Sequence, residues 1–177
     1  PQAALANGIF GHADETDDSH PPSRSHPGAA IVPATLAMVE RQRQSGAAML
    51  RAVALGYDIN ARLLLALKDA QLIKLGFHPS SKGGLFGAAA AAAGLLKLDA
   101  RRMRYVISYC TAQAAGLFTV LRDTQHIEKA YTVGGMPAHN GVLAALMVAT
   151  GYTGVEDVLS GDPNLLTAYS QDADRDA

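Results

Sequence analysis

The segment from Asn7 to Pro33, NGIFGHADETDDSHPPSRSHPGAAIVP, carries His12, Asp14, Glu15, Asp17, Asp18, His20 and His26. Imidazoles titrate near neutrality and carboxylates are charged there, so this grouping suits proton transfer or metal ligation. The run His12-x-Asp14 with Asp17, Asp18 and His20 permits metal ligands, but it has neither the HExxH helix nor the EF-hand order. The plain alternative is a polar loop whose carboxylates stay hydrated. A second candidate is His78 in GFHPSS, which Pro79 pushes out of helical geometry. It adjoins a helix start whose free N–H groups favour a carboxylate, or it is a simple turn histidine. A third is Lys129, a point charge for a carboxylate, ahead of the pair Gly134-Gly135 where the backbone admits close approach. Read alone, Lys129 is a surface lysine.

Helices must position these groups. Pro21, Pro22 and Pro27 exclude regular helix between Ser19 and Gly28. Pro33 is placed to begin a helix to about Ser45, with Gly46 just past its end. Leu50, Val53, Ala54, Tyr57, Ala61 and Leu64 recur at helical spacing and predict a second helix over about 47–67. Ser80 or Ser81 is expected to cap a third, which contains GGLFGAAAAAAGLL. Its six alanines, Ala88 to Ala93 between Gly87 and Gly94, make a thin helix that neighbours can approach closely, so it is expected at the centre of a bundle. GGLFG lacks the GxGxxG order and the P-loop lysine, so it is no nucleotide loop.

Asp99 is expected to cap a fourth helix with an apolar stripe of Met103, Val106, Ile107, Cys110 and Ala114. Arg101, Arg102 and Arg104 near its start oppose the helix dipole and read as a solvated face or a subunit contact. Pro137 is expected to start a fifth helix running to Thr150. Thr153 and Glu156 read as a capping box for a short sixth, and Asp162-Pro163 as the start of another. The tail QDADRDA should fray. No run alternates as a strand does. The fold class is therefore all-α, a multi-helix bundle.

The chain has 177 residues, is 49% hydrophobic and carries a net charge of −1. That charge balance offers no basic footprint for nucleic acid and no polybasic membrane patch. The near-apolar run from Leu85 to Leu96 is too short to span a bilayer. The single cysteine, Cys110, excludes an internal disulfide and any CxxC site, and the cytoplasm is the expected compartment. The chain begins at Pro1, inside an Ala/Leu segment, and reads as a piece of a longer protein.

Three segments in order, GHADETDDSHPPSRSHPGAAIVPA, GFHPSSKGGLFGAAAAAAGLLKLD and HIEKAYTVGGMPAHNGVLAALMVATGYTGVEDVLSG, resemble the MmgE/PrpD family. That family includes 2-methylcitrate dehydratase, cis-aconitate decarboxylase and an iminodisuccinate epimerase. The resemblance implies that residues 1–177 are part of a large helical domain: an active-site loop over 7–33, a helical body over 33–161, then a short helix and tail over 162–177. It also implies a separate α+β lid domain outside this sequence, a homodimer, and no organic cofactor or metal. The implied activity is that of a lyase abstracting a proton next to a carboxylate of a di- or tricarboxylic acid, a dehydratase acting on a substrate of the 2-methylcitrate kind. An epimerase or decarboxylase of the family, or a non-catalytic or metal-binding helical protein, is the alternative. Residue by residue, the likeness assigns catalysis to His26, His78 and Lys129, and substrate binding to Asp17, Asp18, Ser19, Glu15 and His139. Glu15 stands where the family has aspartate, Thr16 replaces an aromatic residue, Ser19 a threonine and Thr132 a histidine.

Overall fold

The computed structural model describes the backbone of residues 1–177 and the side chains of all but Asp69. Helix α1 spans Gln2–His12, and a polar loop with one 3₁₀ turn at Pro21–Ser23 follows. Then come α2 (Pro27–Gln42), α3 (Gly46–Leu67), α4 (Asp69–Lys74), α5 (Pro79–Leu95) and α6 (Ala100–Gln113). After a 3₁₀ turn at Phe118–Arg122, α7 (Ile127–Ala130) runs through a π-helical turn, Tyr131–Gly135, straight into α8 (Met136–Ala149). The short α9 is Leu165–Tyr169. Among the described residues the only β pairings are isolated bridges, His20 with Ser25 and Phe77 with Leu117. The chain is an all-α bundle, as its sequence predicts.

Helix α5 is the central post. Every residue from Pro79 to Ala93 is buried, and α2, α3 and α8 pack around it. Small residues make this possible. A Cβ on Gly56 of α3 would stand 2.9 Å from the Gly87 carbonyl oxygen, and one on Gly141 of α8 would stand 2.7 Å from the Ala89 nitrogen. Larger side chains supply the packing between the neighbours, with Ile31, Met38, Leu85, Val106 and Val142 all inside the main core. No helix among the described residues is long and apolar enough to cross a membrane.

Five features differ from those read in the sequence. Helix α2 starts at Pro27, not Pro33. Pro27 takes the first helical position, where its missing N–H is harmless. Pro33 lies inside the helix and withholds one hydrogen bond from the carbonyl four residues earlier. Neither Ser80 nor Ser81 caps α5; the cap residue is His78. The Ser81 hydroxyl instead donates to the His78 and Ala115 carbonyls, and Ser80 Oγ accepts the His26 N–H at 3.0 Å. Pro137 does not open α8, which is already helical through Tyr131–Gly135.

The expected capping box of Thr153 and Glu156 starts no helix. Glu156 is drawn to α6, where Arg101 and Arg104 donate to it at 2.7 and 3.3 Å. Asn164, rather than Asp162, caps α9 by accepting the Thr167 N–H at 3.0 Å. Asp99 caps α6 as expected. The tail is tied down at one point, where Asp174 N–H donates to the Ala66 carbonyl at 2.7 Å.

Candidate functional site

The site lies where the end of α1, the polar loop, the starts of α2 and α5, and α7 converge. His12 is the last residue of α1 and has no exposed surface. Its Nδ1 lies 2.9 Å from Asp17 Oδ2. A carboxylate only accepts, so Nδ1 carries the proton and Nε2 presents its lone pair. Burial lowers the His12 pKa, and His26 and Lys129 push the same way, against the pull of Asp17.

His26 caps α2. Its backbone N–H is held by Ser80 of α5, and its Nδ1 donates to the Asp18 carbonyl at 2.8 Å. The bond at Nδ1 leaves Nε2 free to take or give a proton. Asp17 Oδ1 lies 3.9 Å from the same Nδ1, and the His26 and His12 rings are 5.4 Å apart. The loop that carries these groups is pinned from beneath: Asn60 of α3 donates to Ser25 Oγ at 3.0 Å, and Ser25 is bonded to Ser23.

Lys129 sits on α7 with its side chain largely covered and pairs with Glu15. Burial lowers its pKa. Asp123 fixes the start of α7 by accepting the N–H groups of Glu128 and Lys129. His126, just ahead of that helix, places Nε2 3.3 Å from Glu15 Oε1. Glu15 and His126 both have left-handed backbone, φ 51° and 63°. Such backbone in residues other than glycine collects at functional sites.

His78 is buried at the start of α5, with its ring 4.6 Å from that of Phe118. Burial pushes its pKa down to about 4, and His26, His12 and Lys82 add to the effect. It is therefore neutral at physiological pH. Lys82, one turn on, is 1% exposed. Its ammonium lies 3.7 Å from the Phe77 ring centre and 4.8 Å from that of Tyr169. Burial lowers its pKa to about 8.

The fold thus gathers His26, Lys129, Asp17 and Glu15, with His78 near enough to feel the charges of His26 and His12. Other expected site residues lie apart. Asp18 turns to the start of α2, where Oδ1 accepts the Gly28 N–H at 2.8 Å and the side chain bonds Tyr57. Ser19 is exposed on the loop. His139 is half-buried on α8 and pairs with its neighbour Asn140 at 2.9 Å. Two groups outside the set that the resemblance assigns belong here: His12, which the sequence offers only as a member of the acidic and histidine cluster, and His126. DTQHIEK put His126 three residues before Lys129, which is one helical turn. That spacing was the available signal.

A cleft of about 430 Å³ opens beside Asp17 and Asp18, walled by Asn7, Gly11, Gly28, Leu36 and Tyr57. A larger apolar cavity, about 580 Å³, lies between α3, α5 and α6 and contains none of the histidines.

The MmgE/PrpD N-terminal domain family matches residues 1–177. A cis-aconitate decarboxylase-like protein of Aspergillus oryzae, oryM, is 30% identical over 97% of this chain and 37% of its own length. The cis-aconitate decarboxylases of Homo sapiens and Aspergillus terreus are 30% and 28% identical, each over 89% of this chain and 32% of the relative. The chain spans about a third of the length of these curated relatives. With a family match that runs from its first residue to its last, the chain belongs to the MmgE/PrpD family.

Proposed function

We propose that the whole protein transfers a proton at a carbon next to a carboxylate of a di- or tricarboxylic acid. The observation that carries this reading is the convergence of His12, His26 and Lys129 around the two carboxylates Glu15 and Asp17. Lys129 already holds one carboxylate, that of Glu15, and its ammonium has further N–H donors for a substrate carboxylate. His26, bonded through Nδ1, offers Nε2 as the base or acid. His78, kept neutral, can accept a proton or donate a neutral hydrogen bond. Asp17 orients His12. Charge that builds on the substrate as the proton moves is stabilised by Lys129.

Decarboxylation is the outcome the relatives support, because three of them are named for cis-aconitate. In that reaction the C–C bond to a carboxylate breaks, carbon dioxide leaves, and a histidine delivers a proton to the carbon that keeps the electron pair. Dehydration of a hydroxy acid of the 2-methylcitrate kind uses the same proton relay and is the second reading. The family likeness also supports a homodimer. The test is proton exchange by NMR, with full-length protein in heavy water and a panel of 2-methylcitrate, cis-aconitate and iminodisuccinate. Deuterium gained by the product with carbon dioxide release supports decarboxylation, and loss of a substrate C–H signal with water release supports dehydration. Neither deuterium uptake nor C–H loss with any of the three would overturn the proposal.

A further inference from the structure

His12, Glu15 and His126 bring three metal-ligating atoms together, all within 4.8 Å of one another. The His12 ring is fully buried, and its Nε2 makes no hydrogen bond. A buried nitrogen lone pair with no donor is expensive. Asp17 accepts a hydrogen bond from the other ring nitrogen, Nδ1, at 2.9 Å. A carboxylate behind a histidine, fixing its tautomer and turning its lone pair inward, is the arrangement that supports metal-bound histidines. That lone pair is 4.0 Å from Glu15 Oε1. His126 Nε2, also buried and without a hydrogen bond, is 3.3 Å from the same oxygen.

We propose that His12, Glu15 and His126 bind a divalent transition ion of the zinc class, and that the ion competes with Lys129 for Glu15. Two imidazoles and one carboxylate suit zinc, with a fourth position open to water or a substrate oxygen. Ligand atoms about 2.0–2.2 Å from one ion stand roughly 3–4 Å apart, so the present spacings need only a small contraction. Glu15 supplies it readily, since it lies on the exposed loop. A dication and the Lys129 ammonium cannot share one carboxylate without strong repulsion. Zinc therefore displaces Lys129 and inhibits the proton transfer proposed above. The binding itself does not depend on that activity.

Full-length protein stripped with chelator is titrated with zinc against a fluorescent zinc indicator. One zinc per chain is expected. Affinity falls about tenfold or more in Glu15→Gln and His126→Gln, and by about 10–100-fold in Asp17→Asn. It rises in Lys129→Met. Glu15 and His126 are not core residues, so their variants report on the site even if a His12 variant fails to fold. No competition with the indicator, or equal affinity in wild type, Glu15→Gln and His126→Gln, would overturn the site. Unchanged affinity in Lys129→Met would overturn the competition. Proton exchange measured without zinc tests the activity separately.

Discussion

Gly8 and Gly134 meet backbone to backbone: a Cβ on Gly8 would stand 2.5 Å from the Gly134 carbonyl oxygen. This contact seats α1, which ends in His12, against the turn that follows Lys129. Overpacking such a contact costs about 1–3 kcal/mol. Gly134→Ala should lower the urea midpoint accordingly and also reduce turnover, because His12 and Lys129 move apart. An unchanged midpoint would show that α1 is free to shift.

His78 predicts a specific acid sensitivity. Its folded pKa, about 4, lies below the unfolded value of about 6.5. Between these values the unfolded chain binds a proton that the folded chain does not, so stability rises with pH across this window. The penalty is absent above about pH 6.5 and grows to about 3 kcal/mol as pH falls through 4. His78→Gln should flatten this part of the stability profile, read as unfolding midpoints from pH 7 to pH 4. A slope identical to wild type would contradict the burial of a neutral ring.

Lys82 predicts a stabilising substitution. Its folded pKa, about 8, is also depressed, so the charged form is disfavoured inside the fold. The penalty is full below pH 8 and disappears as pH rises through the unfolded value near 10.4. Lys82→Met, of similar shape, should raise the melting temperature at pH 7, and the gain should vanish by about pH 10.5. A loss of stability at pH 7 would mean that the Phe77 and Tyr169 rings outweigh the desolvation.

The proposed proton relay predicts separable kinetic effects. His26→Ala should lower kcat by about 10²–10⁴-fold. Lys129→Ala should raise KM, through the lost carboxylate contact, and also lower kcat, through the lost stabilisation of the developing charge. Turnover of full-length protein on cis-aconitate checks both. Wild-type rates in both variants would remove these residues from the mechanism.

The helical body was legible because alanine and glycine spacing leaves one solution, a thin helix that others can touch. Ala88 to Ala93 marked that helix, and α5 occupies the centre. Boundaries were less legible where a residue had two competing partners. Glu156 could cap a helix or meet Arg101 and Arg104, and only the fold brings α6 within its reach. Pro33 suits a first helical position by its fixed φ, but so does Pro27, and it is Pro27 that takes it. In the site, Lys129 and His26 are marked by the family resemblance rather than by their own surroundings in sequence. His126 is signalled only by its spacing from Lys129, since its closeness to Glu15 arises from a contact across 111 positions. Asp18 matched the same pattern as Asp17 but is spent on the Gly28 N–H and Tyr57.

The alanine post at the centre of the fold has one more effect. Alanine side chains have no rotamers to freeze, so burying them carries no side-chain entropy loss, and they have no slack with which to absorb a neighbour's change. Helix α5 should therefore reject nearly any larger residue between Gly87 and Gly94. The polar loop at its foot meets solvent at Asp14, Glu15, Thr16 and Ser19 and can exchange residues there more readily than the post can. Mutational drift is thereby steered away from the post and toward the exposed stretches of the loop that carries Glu15 and Asp17, and that loop can diversify without the scaffold being rebuilt.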